Sequence, residues 1–189
     1  MKKKISQIVI YAVLAVVVVG LILCSIIKIN FKPQMALPTL NDGAIEISVA
    51  GQAKYESIST KEDYNAFTSK FNNGFKLTIL YSLFSGKIGQ ELKINKVTTD
   101  PTFSGYKVQF VYNQSQTLKK DGKPVMTADN SNTPITYDRV VFDVQDGRGL
   151  TNTNIYFYTN GQSSYYRLTT IANFNSLYNY IANMSMFGE

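Results

Sequence analysis

From Ile5 to Ile27 the chain runs for 23 positions without a charged residue. As a helix rising about 1.5 Å per residue, this run is about 34 Å long, enough to cross a hydrocarbon core of about 30 Å. A secretory signal has a shorter apolar region, roughly 7 to 15 residues, closed by small residues. Here the last third, Leu21 to Ile27, stays bulky. The lone cysteine, Cys24, follows Leu23 where a lipid-modified bacterial cysteine follows a small residue, so "LILC" is only a partial lipobox. The run therefore predicts an uncleaved signal anchor. Lys2, Lys3 and Lys4 precede it and Lys28 and Lys32 follow it, a balance that keeps the N-terminus in the cytoplasm and puts the remaining chain outside. The expected divisions are a basic tail (1–4), a transmembrane helix (5–27), a linker with Pro33, Pro38 and the turn signal Asn41-Asp42-Gly43 (28–43), and an extracytoplasmic domain (44–189).

The net charge of +6 suggests a nucleic-acid binder until its distribution is read. Five of the 19 basic residues flank the apolar run, and all 13 acidic residues lie beyond Pro33. From Pro33 to Glu189 the balance is 14 basic against 13 acidic residues. A nearly neutral domain with basic membrane flanks is not a phosphate-backbone binder, so no nucleic-acid partner is expected. Anionic headgroups explain the flanks more simply. The domain has no cysteine, and the chain no histidine or tryptophan. Ser-His-Asp and Cys-His arrangements and the usual zinc sites are thereby excluded, and neither cofactor nor metal is expected.

Beyond the linker, Ile45, Ile47 and Val49 alternate as a strand before a bend at Gly51. Ser59-Thr60-Lys61-Glu62 fits a capping box, and Tyr64, Phe67, Phe71 and Phe75 follow at helical spacing. Ile79, Leu80 and Leu83 extend this stripe to Gly86, with Asn73-Gly74 as a potential break. The period then becomes two, through Leu92 and Ile94 and again through Tyr106, Val108, Phe110 and Tyr112. "KKDGKP" (119–124) reads as a hairpin turn and "ADNSNTP" (128–134) as a polar loop. Strands at 135–145, 150–159 and 163–170 follow, and Ile171, Phe174, Leu177, Tyr178 and Ile181 predict a C-terminal amphipathic helix. The expected class is α+β, an antiparallel sheet with a long helix packed on one face. Across residues 44–170 this order resembles the cystatin-like group of folds, a resemblance of topology without a family motif. Single-span scaffold subunits of bacterial type IV secretion and conjugation systems combine one membrane helix with a domain of that general kind, and the resemblance implies an envelope role of that sort.

The turns allow faces to be assigned. With Asn160-Gly161 as a two-residue turn, Phe157 faces Ser164, Ile155 faces Tyr166 and Thr153 faces Leu168, an apolar side. The other side carries Tyr156 opposite Tyr165 and Asn154 opposite Arg167. With Asp146-Gly147 as the preceding turn, Phe142 meets Thr151 and Val140 meets Thr153; a four-residue loop at 146–149 would slide this register by two and leave every residue on the same face. The outward side then lines up Arg139, Asn154 and Arg167 beside Tyr137, Tyr156 and Tyr165, with Tyr158 on the same face. These seven are the candidate binding residues, because tyrosine and arginine are enriched at interface centres. β-propensity alone also enriches tyrosine on half-exposed strands.

Other motifs are weaker. Glu62 and Asp63 start a helix and read as capping partners rather than an acid/base pair. Asp143 and Asp146, and separately "DNSN" at 129–132, lack the ordered ligand spacing of a calcium loop. Ser163 and Ser164 have no base nearby in sequence, and the glycosylation triplets at Asn113 and Asn183 matter only in a eukaryotic secretory route. The expectation is a non-enzymatic, single-span envelope protein with protein partners or copies of itself. The alternative is a surface-tethered module for a wall glycan, lipid or peptide.

Overall fold

The computed structural model describes residues 2–79, 93–127, 133–147, 151–159 and 164–184. The chain divides into two units, Met1–Asn30 with Lys76–Gln90, and Phe31–Phe75 with Glu91–Glu189.

In the first unit, helix α1 spans Lys2–Ile26. Its apolar stretch Val9–Ile26 has the length and composition shared by membrane anchors and signal sequences, and none of it is buried. The helical hydrogen bonding runs one residue further, with Ile27 N–H donating to the Leu23 carbonyl at 3.0 Å. Strand β1 (Lys28–Asn30) then pairs antiparallel with β4 (Lys76–Thr78), in the register Lys28 to Thr78, Ile29 to Leu77 and Asn30 to Lys76.

The second unit is a seven-stranded antiparallel sheet with two helices on one face. Its strands are β2 (Gly43–Val49), β3 (Glu56–Ser57), β5 (Lys93–Val97), β6 (Tyr106–Thr117), β9 (Thr136–Val144), β10 (Thr151–Tyr158) and β11 (Tyr165–Ala172). Across the sheet the order is β3-β2-β6-β9-β10-β11-β5. A small hairpin, β7 (Lys119–Lys120) with β8 (Lys123–Pro124), turns at Asp121 (φ 51°) and Gly122 (φ 77°). Two successive positive φ values define the type I′ turn that Asp-Gly favours, as "KKDGKP" predicts.

Helix α2 (Lys61–Gly74) turns Phe67 and Phe71 inward, and Phe75 follows them at its C-terminus, all three fully buried. Phe71 lies at the centre: its ring is 5.1 Å from Phe75, 5.3 Å from Phe110, 5.1 Å from Phe142 and 5.7 Å from Phe174. Helix α3 (Asn175–Ala182) adds Leu177 and Ile181 to the same core. α2 does not run on to Gly86 as one helix; it ends at the Asn73-Gly74 break that the sequence offers as the alternative. The helix stops at Gly74, where a side chain would strike the Phe174 ring, and Leu77 belongs to a strand instead. Leu80 and Leu83 lie outside the described residues.

The start of α2 is shifted by one residue from the expected box. Thr60 is the N-cap and its Oγ1 accepts from the Asp63 N–H at 3.1 Å while donating to Asp63 Oδ2 at 2.7 Å. Asp63 Oδ1 also accepts from the Tyr180 hydroxyl of α3 at 2.9 Å, tying the two helices together. The hydrogen bonds from Thr60 and Tyr180 hold the Asp63 carboxyl below its ordinary value. A depressed folded-state value stabilises the fold above the unfolded carboxyl's pKa, and that contribution is lost as pH falls through the folded one. Tyr180→Phe is expected to raise the Asp63 pKa toward its ordinary value in an NMR titration; an unchanged value would remove this bond from the account.

Lys32, counted from sequence among the membrane flanks, lies in the second unit with its ammonium 5.8 Å from the Phe71 ring centre, and burial holds its pKa down. The stretch read as a linker carries ordered contacts: Met35 is buried, Phe31 N–H donates to the Phe75 carbonyl, and the Tyr112 hydroxyl donates to the Ala36 carbonyl. One strand takes an unexpected place. β5 precedes β6 in sequence but pairs with β11 at the far edge. The connection between them, residues 98–105, crosses the sheet face opposite the helices, because Phe103 meets Tyr156 on β10 and Ser104 and Gly105 meet Asp143 on β9.

Candidate functional site

The face away from the helices is built of residues that strand alternation turns outward. Two rows cross it in register: Glu46, Gln109, Val141, Tyr156, Arg167 and Asn95; then Ala44, Val111, Arg139, Tyr158, Tyr165 and Val97. The ladders differ from the expected ones. Tyr158 pairs with Tyr165, and Ile155 with Leu168, two positions from the predicted β10–β11 register; Ile155 pairs with Phe142, four positions from the predicted β9–β10 register. Even-numbered slips keep every side chain on its own face, which is why the face survives while the pairings change. The expected turn residues Asn160 and Gly161 lie outside the described residues.

Six of the seven candidates share this face, and Tyr137 does not. It is fully buried on the helix side, 5.0 Å from Phe157 and 5.5 Å from Tyr112, and burial pushes its phenol up to about 12. The cause is a break in alternation: Asp138 and Arg139 both stand between the inward Tyr137 and Val140. It coincides with a shift in the β6–β9 ladder between Val111 and Gln116. An added residue at a bulge reverses the side on which the following residues emerge.

The remaining residues form a stack. Arg139 lays its guanidinium 4.7 Å from the Tyr158 ring centre, Tyr158 lies 4.6 Å from Tyr165, and Tyr165 is 5.6 Å from Tyr156. The connection 98–105 covers part of this cluster. Phe103 packs edge-on to Tyr156 at 6.0 Å, and Lys107 sits over Phe103 and Tyr55. Tyr156 and Tyr165 are consequently buried, 9% and 3% exposed, whereas Arg139 is exposed and Tyr158, Asn154 and Arg167 are half-buried. Asn154 is engaged, its side-chain oxygen accepting from Thr169 at 2.8 Å. Burial raises the pKa of Tyr158 and Tyr165, so both are neutral hydrogen-bonding phenols near neutral pH.

Two buried polar atoms here lack a partner among the described residues, the Tyr165 hydroxyl and Arg167 Nε. Neither Arg139 nor Arg167 forms an ion pair with a carboxylate among the described residues. A shallow groove of about 520 Å³ runs beside Arg139, past Glu46, Gln109, Asn113 and Asp138. A smaller cavity of about 90 Å³ lies under the crossing connection near Asp143 and Asn152.

Sequence reasoning missed two residues that shape this face. Asp143, weighed as a cation ligand, latches the connection: its carboxylate accepts from Ser104 N–H and Gly105 N–H, each at 3.0 Å, and from the Gln145 amide at 2.7 Å. Phe103 is the cover itself, and its place in a polar "TDPTFSG" stretch is the signal that could have drawn attention to it. Among the described residues no group of three or more acidic or cysteine side chains is placed to hold a metal ion. "DNSN" and Ser163 lie outside the described residues. No known family, curated protein or solved structure matches this chain.

Proposed function

We propose that this protein is a non-enzymatic, single-span envelope protein whose extracytoplasmic α+β domain, of cystatin-like topology, docks an acidic segment of a partner protein on its outer sheet face. The observation that carries this reading is the Arg139–Tyr158–Tyr165 stack beside Arg167, with a buried hydroxyl and a buried guanidinium nitrogen left without partners among the described residues. Buried polar groups are normally satisfied, and an unsatisfied one costs roughly 1–3 kcal/mol. A carboxylate docked here would meet the exposed Arg139 guanidinium, and could reach the buried pair only with the covering connection displaced, while tyrosine rings supply contact area at low entropic cost. The helix Val9–Ile26 tethers the domain, with its N-terminus in the cytoplasm.

The test is site-specific photocrosslinking in the producing cells, with the probe replacing exposed Arg139 or, as control, exposed Lys54. A discrete product at 139, absent at 54 and lost when Arg167→Glu is added, is the expected result. A crosslink to a second copy would identify the acidic segment as the chain's own. Equal labelling at 139 and 54 would overturn the reading. The groove beside Arg139 favours a second reading, a tethered module for a wall glycan, lipid or peptide, since Glu46, Gln109 and Asn113 line it with polar groups. Binding of isolated wall material by the purified protein would favour it.

A further inference from the structure

Lys76 is 48 positions from Lys28 in sequence, yet the fold returns it to the end of the apolar helix. Ile79 N–H donates to the Ile27 carbonyl at 2.9 Å, within one residue of the helix end, so the β1–β4 ribbon is hydrogen-bonded to the helix exit. In this register Lys28 and Lys76 emerge on the same side of the ribbon, at diagonal positions about 7–8 Å apart on neighbouring strands. Ile29 and Leu77 take the opposite side, Leu77 buried and Ile29 half-buried. Both lysines are exposed, and neither has an ion pair or hydrogen bond among the described residues.

We propose that the β1–β4 ribbon is a second, non-helical membrane contact whose paired Lys28 and Lys76 bind anionic phospholipid headgroups. The inference rests on the reading of α1 as a membrane anchor, which places residue 28 at the hydrocarbon boundary. Two ammonium groups at that spacing suit the phosphate of one anionic lipid or of two neighbours, and the membrane surface attracts each by an amount worth about fivefold in local population. A single lysine at a helix end would orient the anchor; a pair held by a strand ladder also holds the ribbon itself at the headgroups. The charge at 76 thus acts with the juxtamembrane flank, although sequence distance assigns it to the domain.

The test uses the full chain in vesicles of phosphatidylcholine alone or mixed with phosphatidylglycerol. A nitroxide is attached either to native Cys24 or, in a Cys24→Ser background, to Thr78→Cys, and its depth is read from collisions with oxygen and with a water-soluble nickel chelate. The label at 24 should read the bilayer interior in both vesicles. The label at 78 should read headgroup depth with phosphatidylglycerol, and its surface-bound population should fall by about 25-fold when Lys28→Gln and Lys76→Gln are combined. An aqueous signal at 24 would defeat the anchor reading itself. With 24 in the interior, an aqueous signal at 78, or headgroup depth indifferent to both lipid charge and the two substitutions, would overturn the ribbon's role alone.

Discussion

Phe71→Ala is expected to destabilise the sheet domain by about 3–5 kcal/mol. The ring is fully buried and lies within 6 Å of the rings of Phe75, Phe110, Phe142 and Phe174, which come from α2's end, two strands and the approach to α3. Four rigid aromatic neighbours cannot collapse into the space, so the transfer loss and the cavity cost both apply. Against a total stability of about 5–15 kcal/mol, this loss leaves the domain marginal or unfolded at 37 °C. Urea unfolding followed by circular dichroism is the measurement, with Phe71→Leu, which keeps most of the buried apolar volume without a ring, as the comparison, expected to cost less than half as much. Equal loss in the two variants would mean that ring contacts, and not filled volume, hold the helix to the sheet.

Asp143→Ala should release the connection over the outer face. The carboxylate receives two backbone N–H bonds, a side-chain amide and the Ser104 hydroxyl, and hydrogen bonds to a charged group contribute about 1.5–3 kcal/mol each when desolvated. This site is partly exposed, so the global loss should be nearer the lower figure, about 1.5 kcal/mol for the latch as a whole. The local effect should be larger than the global one. Hydrogen exchange at residues 102–105 should accelerate at least tenfold, and the Tyr165 ring, now 3% exposed beside the Phe103-covered Tyr156, should become accessible to aqueous quenchers. Gly105 contributes to the same latch, because a side chain there would run into the Val144 carbonyl. Unchanged exchange at 102–105 would show that Phe103 packing alone holds the connection. If partner docking needs the cover displaced, the same variant should crosslink more strongly through position 139, which joins this prediction to the function proposed above.

Much of the local structure was legible because local periodicities carry it. The spacing of Phe67, Phe71 and Phe75 identified the core stripe of α2, and alternation in β10 and β11 separated Phe157 and Leu168 from Tyr156 and Tyr165. The Asp121-Gly122 turn followed from which residues tolerate positive φ. Each of these depends on a residue and its near neighbours. The errors have a different origin. Unbroken alternation puts Tyr137 on the outer face, and the bulge that breaks it arises only in the pairing of β6 with β9. Asn73-Gly74 marks a potential break of the α2 stripe, but only the packing of Phe174, one hundred positions later, against Gly74 shows why the helix ends there.

The sequence by itself determined the apolar helix, the α+β class and the parity that sorts side chains between two faces, because each follows from backbone geometry over a few residues. Tertiary structure alone decided the rest: β5 at the far edge, residues 98–105 laid over the tyrosines, and Lys76 brought back to Lys28. Those depend on pairings between residues tens of positions apart, such as Gly105 with Asp143 and Asn30 with Lys76. Such pairings are chosen by competition among many strand partners of similar local propensity, and shared burial and hydrogen bonding across the whole sheet settle it.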